Sequence, residues 1–226
     1  MSDPGKRITT THQGVGKIEE KFAGQSPYEG KRLWLAQVIS RLSNPLFVAP
    51  PLLLWVALLT APSLWSALLW WAVLGIAISA APLLFIRRGV RQGVYTNYHV
   101  SRREQRFIPF LFSISCMFIG LLILRLMGAS HELMATLTAM IATLLTALLI
   151  TQWARWKISL HLIGLSGALT TLVVVIGPKF AALFILLPVI GWARWQVHAH
   201  TIGQIAAGSL LGIAVPLAVY GLLDLY

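Results

Sequence analysis

Apolar residues run along this chain in long blocks separated by short polar interruptions. The blocks cover roughly 46–61, 64–86, 107–126, 133–153, 158–176, 180–192 and 202–223. Several of them approach the ~20 residues that an α-helix needs to cross a bilayer. The pattern predicts an all-α polytopic membrane helix bundle with about six to seven transmembrane helices. The first block is short and interrupted by Pro50-Pro51, and the sixth is short as well. Ahead of them, Leu33, Leu35, Val38, Ile39 and Leu42 recur near helical spacing with Gln37 and Arg41 among them, which predicts an interfacial helix. Residues 1–32 are rich in Gly, Thr, Lys and Glu and read as a mobile tail; 33–226 read as one membrane domain.

Composition agrees with that pattern. Of 226 residues, 57% are hydrophobic and 11% charged, and the mean hydropathy is +0.76, which excludes an ordinary soluble domain. The polar first 30 residues contain no apolar segment of the kind a cleavable signal peptide needs. The net charge of +11 would suit nucleic acid, but the basic residues flank apolar blocks instead of forming a soluble patch. Membrane lipids and a phosphate-bearing ligand are the expected partners, and nucleic acid is not. Seven crossings sort the loops into two groups, and 16 of the 18 Lys and Arg residues fall in the group that includes the N-terminus. By the positive-inside rule that group is cytoplasmic, in an inner or plasma membrane, and Tyr226 lies on the opposite side. Discounting Arg102, Arg103, Arg106, Lys157 and Arg194 as site residues leaves 11 against 2.

Paired crossings return three polar stations to that same side. One is His99-Val100-Ser101-Arg102-Arg103-Glu104-Gln105-Arg106-Phe107-Ile108-Pro109. The second is Lys157-Ile158-Ser159-Leu160-His161. The third runs from Ala193-Arg194 through His198, His200 and Gln204, reading as a loop that enters a helix. Charged and imidazole groups at a membrane border are costly and mark a functional site by default. Arginine forks onto two phosphate oxygens and a neutral imidazole can attack phosphorus, so this set suits phosphate chemistry. Arg102 and Arg106 are one helical turn apart and could grip one phosphate. His200 and Gln204, four apart, can hydrogen-bond.

In order, spacing and sidedness, over about residues 99–212, these stations resemble the type 2 phosphatidic acid phosphatase superfamily, which also includes vanadium haloperoxidases. That family carries Lys-x6-Arg-Pro, then Pro-Ser-Gly-His, then Ser-Arg-x5-His-x3-Asp. Here the third motif reads Ala193-Arg194, five residues, His200, three residues, Gln204. The second reads Ile158-Ser159-Leu160-His161, and the first has Arg106 with its proline at Pro109 and His99 at the lysine's spacing. The resemblance implies a phosphatidic acid phosphatase-like core in which His200 is the nucleophile and His161 the general acid. Arg106 and Arg194 would neutralise the phosphoryl oxygens, with donors from Ser159. Arg102 and Lys157 have no family counterpart and are placed to supply the missing lysine's charge. Gln204 stands where the family has aspartate, able to orient His200 but not to balance its charge. The implied activity is metal-independent hydrolysis, without a cofactor, of a lipid phosphate or isoprenoid diphosphate through a phosphohistidine. A non-catalytic relative that binds or transports a lipid phosphate, or scaffolds membrane proteins, is the alternative, and a vanadate-requiring haloperoxidase a distant third.

Plainer readings stand beside these. His161 could simply bond a neighbour, and His198, two residues from His200, would point away from it on a helix. His131 and His12 read as solvated, and Arg87, Arg88 and Arg91 as a headgroup anchor. Trp65, Trp153, Trp156, Trp192 and Trp195 read as interfacial belt residues, and Gly203, Gly208 and Gly212 as permitting close helix packing. No His/Asp/Glu cluster has ligand spacing, so no metal is expected.

Overall fold

The computed structural model describes residues 27–98, 100 and 102–225. The readings made of His12, His99, Ser101 and Tyr226 lie outside them, as does most of the 1–32 tail. Every regular element among the described residues is a helix, with no strand. Helix α1 is Pro27–Leu42, so helix begins inside the predicted tail. It is followed by α2 (Pro45–Thr60), α3 (Leu64–Arg91), α4 (Phe107–Leu126), α5 (His131–Trp153), α6 (Leu160–Ile176), α7 (Pro178–Gln196) and α8 (Ile202–Leu222). Five of these, α3, α4, α5, α7 and α8, are long and apolar enough to cross a membrane. The α1–α2 pair, bent by 45° at Ser43-Asn44, makes a sixth if it is one span. The α6 helix is apolar but shorter. The outward faces carry large hydrophobic side chains, Leu69, Ile76, Ile119 and Leu210 among them, as lipid contact requires. This is an integral membrane protein built as an all-α polytopic bundle.

Several elements differ from their sequence expectation for identifiable reasons. Pro50-Pro51 does not interrupt α2. Pro50 has no N–H for the Leu46 carbonyl four residues back, and Ser79 Oγ, from a π-helical stretch of α3, donates to that oxygen at 3.4 Å. Trp71 Nε1 likewise donates to the Pro50 carbonyl at 2.9 Å. The α3 helix continues to Arg91, so Arg87, Arg88 and Arg91 sit on its last turns, where cations complement the helix dipole. His131 is not merely solvated: its Nε2 donates to the Leu223 carbonyl at 2.8 Å, tying the start of α5 to the end of α8. Of the tryptophans, Trp65, Trp153, Trp156 and Trp195 are exposed, whereas Trp70 belongs to the core.

Helix α8 lies against α6 at backbone distance. A Cβ on Gly212 would meet Ser166 Oγ and, at 2.5 Å, the Ile163 carbonyl; one on Gly208 would come within 2.8 Å of the Ser159 carbonyl. These two glycines, one turn apart, do permit the close packing expected of them, while at Gly203 a Cβ would make only an ordinary contact with Trp156. Gly212→Ala should therefore destabilise the detergent-solubilised protein by the ~1–3 kcal/mol of an overpacked contact or more, because a backbone carbonyl is in the way, and so lower its thermal unfolding midpoint. Gly203→Ala should leave it nearly unchanged. Equal midpoints for the two would contradict this account of the interface.

Candidate functional site

The polar stations meet at one end of the bundle. Arg106 precedes the first turn of α4, Lys157 lies in the α5–α6 connection, and His161 is in the first turn of α6. Arg194 lies in the last turn of α7, which runs to Gln196, and His198 and His200 occupy the turn into α8. All six line one cavity of about 610 Å³. Among the described residues that line it, none is a carboxylate.

Two of the residues assigned above to phosphate binding do not line this cavity. Arg102 is exposed and lines no part of the cavity that Arg106 lines. The reason is local: residues 103–105 form a short 3₁₀ turn rather than α-helix, and the one-turn geometry assumed for that pair is absent. Ser159 is fully buried at the α6 N-terminus, also outside the cavity lining, with its hydroxyl making no hydrogen bond among the described residues and its carbonyl against Gly208. His198 is not on a helix; it sits at φ 53° in the turn and lines the cavity despite its spacing from His200.

Arg106 is 4% exposed, and its Nε donates to the Val100 carbonyl at 3.1 Å. Val100 itself holds φ 43°, a costly conformation for a β-branched residue. With Arg155 at φ 50° and His198 at φ 53°, each loop bordering the cationic mouth contains one such residue. Burial, and then the neighbouring Arg194 charge, pull the Arg106 pKa down to about 10. Lys157 is also held below its usual value, first by burial and then by Arg106 and Arg194. These three cations thus sit within each other's field.

The sequence did not point to the residue that ties two of these groups together. Ser40, on α1, is buried; its hydroxyl accepts from Arg194 Nη1, and its carbonyl accepts from His161 Nε2 at 3.1 Å. Helix α1 thereby fastens the α7 and α6 contributions to the mouth. Arg194 Nε is buried and has no hydrogen-bond partner among the described residues.

His200 is 7% exposed, and its Nδ1 lies 3.2 Å from Gln204 Oε1. That amide is not free to flip. Gln204 Oε1 also accepts from the Thr201 backbone N–H at 3.2 Å, while Thr201 Oγ1 accepts from Gln204 N, a reciprocal capping box at the start of α8. An atom that accepts from a backbone N–H is the oxygen, so His200 Nδ1 must donate to it. The neutral imidazole then carries its lone pair on Nε2. Neutrality follows from the surroundings: burial first, then Arg194 and Lys157, with a smaller push from Arg106, lower the His200 pKa to about 4 against the opposing effect of its hydrogen bond to Gln204. The capping box Thr201-x-x-Gln204 is legible in the sequence, but there it signals a helix start and not a constraint on His200.

No family model matches this chain, and no curated protein or solved structure does either.

Proposed function

We propose that this protein is a membrane phosphohydrolase acting on a lipid phosphate or isoprenoid diphosphate, with His200 as the nucleophile. The observation that carries the reading is a neutral His200, its Nδ1–H held by Gln204, beside Arg106, Lys157 and Arg194 on a cavity lining without a carboxylate. A dianionic phosphoryl group relieves the mutual repulsion of the three cations, and a phosphoryl oxygen is the acceptor that the buried Arg194 Nε lacks. Positive charge preorganised around the transferring group usually contributes more to such catalysis than any other effect. In the reaction, His200 Nε2 bonds to phosphorus as the phosphorus–leaving-oxygen bond breaks. His161 protonates the leaving oxygen, and water then hydrolyses the phosphohistidine. Since His161 Nε2–H is given to the Ser40 carbonyl, that bond must open, or the ring must turn, for the proton to pass to the leaving oxygen. The resemblance to the type 2 phosphatidic acid phosphatases in motif order and spacing supports the same assignment, with the N-terminus and the cationic mouth on the cytoplasmic side of an inner or plasma membrane, in keeping with the charge distribution of the loops.

A second reading, a lipid-phosphate binder without turnover, is favoured by one specific feature: Gln204 is uncharged and offers nothing to balance an imidazolium or a phosphohistidine. Purified protein in lipid nanodiscs, given a panel of lipid phosphates and diphosphates, separates the two. The enzyme reading expects phosphate release that His200→Ala reduces to background. Lipid-phosphate binding with no release by the wild type would instead select the binder.

A further inference from the structure

The cavity does not end at the cationic mouth. It continues into the bundle past Ala49, Leu52, Met117, Met140 and Ala168 as far as Thr136 and Thr171, toward the opposite ends of α5 and α6. Contacts of α2 with α3, α3 with α4, α4 with α5, α5 with α6 and α6 with α2 close a ring around it, and α8 packs over the α5–α6 seam, with Pro216 in the lining. The far end is stopped. There α2 and α5 meet in a dry cluster of Leu53, Val56, Ala57, Leu133 and Leu137, each at most 1% exposed, pinned by Ser130 Oγ donating to Thr60 Oγ1 at 2.7 Å. The few hydroxyls in the deep part are spent on backbone: Thr136, Thr143 and Thr171 donate to the carbonyls of Glu132, Ala139 and Gly167. A pocket with a cationic opening, apolar walls and a closed floor is matched by an amphiphile with an anionic head.

Its dimensions narrow the choice. Along α6 the lining runs from Leu160 to Thr171, a 12-residue stretch, or about 16 Å at the helical rise, near half the ~30 Å hydrocarbon core. Spread over that depth, the cavity of about 610 Å³ has a mean cross-section of roughly 40 Å², and because part of that volume belongs to the cationic mouth the deep part is narrower still, which suits one hydrocarbon chain better than two. We infer that the ligand is a single-tailed lipid phosphate whose tail enters the bundle itself, with the phosphate at Arg106, Lys157 and Arg194 and the tail end beside Met140 and Thr171. This rests on the phosphate reading of the mouth. Burying the tail inside protein also orients the head, because a tail held on a blind axis leaves the phosphate few positions.

The test uses the full-length protein in nanodiscs and dodecyl phosphate with a photoreactive diazirine on its terminal carbon, followed by peptide mass spectrometry. The expected result is labelling at Met117, Met140 or Thr171, lost about tenfold or more when excess unlabelled dodecyl phosphate competes. Labelling confined to outward residues such as Leu69 or Ile119 would overturn the proposal, even if phosphate release stood. So would equal interior labelling by a two-tailed phosphatidic acid carrying the same diazirine. If dodecanol with the same diazirine labels the interior as well as the phosphate does, and Arg106→Gln with Lys157→Gln changes neither, the tail site stands and the phosphate reading of the mouth falls. A plugged variant gives an independent readout: Met140→Trp should cut dodecyl phosphate binding about tenfold while sparing butyl phosphate, whose tail stops short. Equal loss of both would count against the tail site.

Discussion

Gln204→Glu should raise the pH at which His200 takes up a proton from about 4 to roughly 5–7, the range expected when a carboxylate replaces a neutral acceptor at hydrogen-bond distance. The substitution is unusually clean. Glutamate serves the capping box as well as glutamine does, so the start of α8 and the acceptor for His200 Nδ1 are kept and only the charge changes. The sign follows from the groups that face the ring. Burial, Arg194, Lys157 and Arg106 all disfavour imidazolium, and the new carboxylate favours it. Since only unprotonated Nε2 can attack, phosphate release by the wild type should persist down to about pH 5, with its acidic limb near 4. The limb of the glutamate variant should move upward, and turnover at or above pH 7 should rise because the phosphohistidine's charge is now balanced. Gln204→Asp, one methylene shorter, should show the same direction with a weaker hold on the ring. Gln204→Leu removes the acceptor while leaving Thr201 to cap α8; by analogy with the loss of the orienting carboxylate in a serine protease, turnover should fall by up to ~10⁴-fold through the wrong tautomer. The imidazole titration is followed by NMR of ¹³C-labelled histidine, and the rate by phosphate release. An unmoved titration in the glutamate variant would remove Gln204 from the account of His200.

Arg194→Met should cost ~10²–10³-fold in phosphate release, the usual loss when one preorganised donor to a developing anion is deleted. It should also raise the His200 pKa, since Arg194 is the strongest of the three charges acting on that ring. Ser40→Ala removes the acceptor of Arg194 Nη1 but keeps the backbone carbonyl that His161 uses, so its effect should be smaller, on the order of tenfold, and Ser40→Thr should restore the activity. A purely structural role for Ser40 would lower the amount of folded protein without altering the rate per folded molecule or the His200 titration. Ser40 positions Arg194, and the titration is where that should register. Full activity in both Arg194→Met and Ser40→Ala would mean that phosphate is not held at this mouth.

The amino-acid sequence determined the helices and the end of the bundle at which the chemistry-bearing residues gather. Apolar blocks near membrane-spanning length leave a backbone no alternative in lipid, because every N–H and C=O must be satisfied within its own segment. Two helices lie between each successive pair of stations, and residues 106, 157–161 and 194–204 thereby return to one end of the bundle. The closeness of His200 to Gln204 was legible for the same local reason, a separation of four residues. Tertiary structure decided what needed long-range contact or loop conformation. Ser40 stands 121 residues from His161 and 154 from Arg194, and no periodicity joins them. Arg102 was lost from the site because a 3₁₀ turn and a left-handed Val100 replaced the assumed helical turn. The blind apolar cavity exists only where five helices close a ring over an α2–α5 floor, a property of their packing that no single helix carries in its sequence.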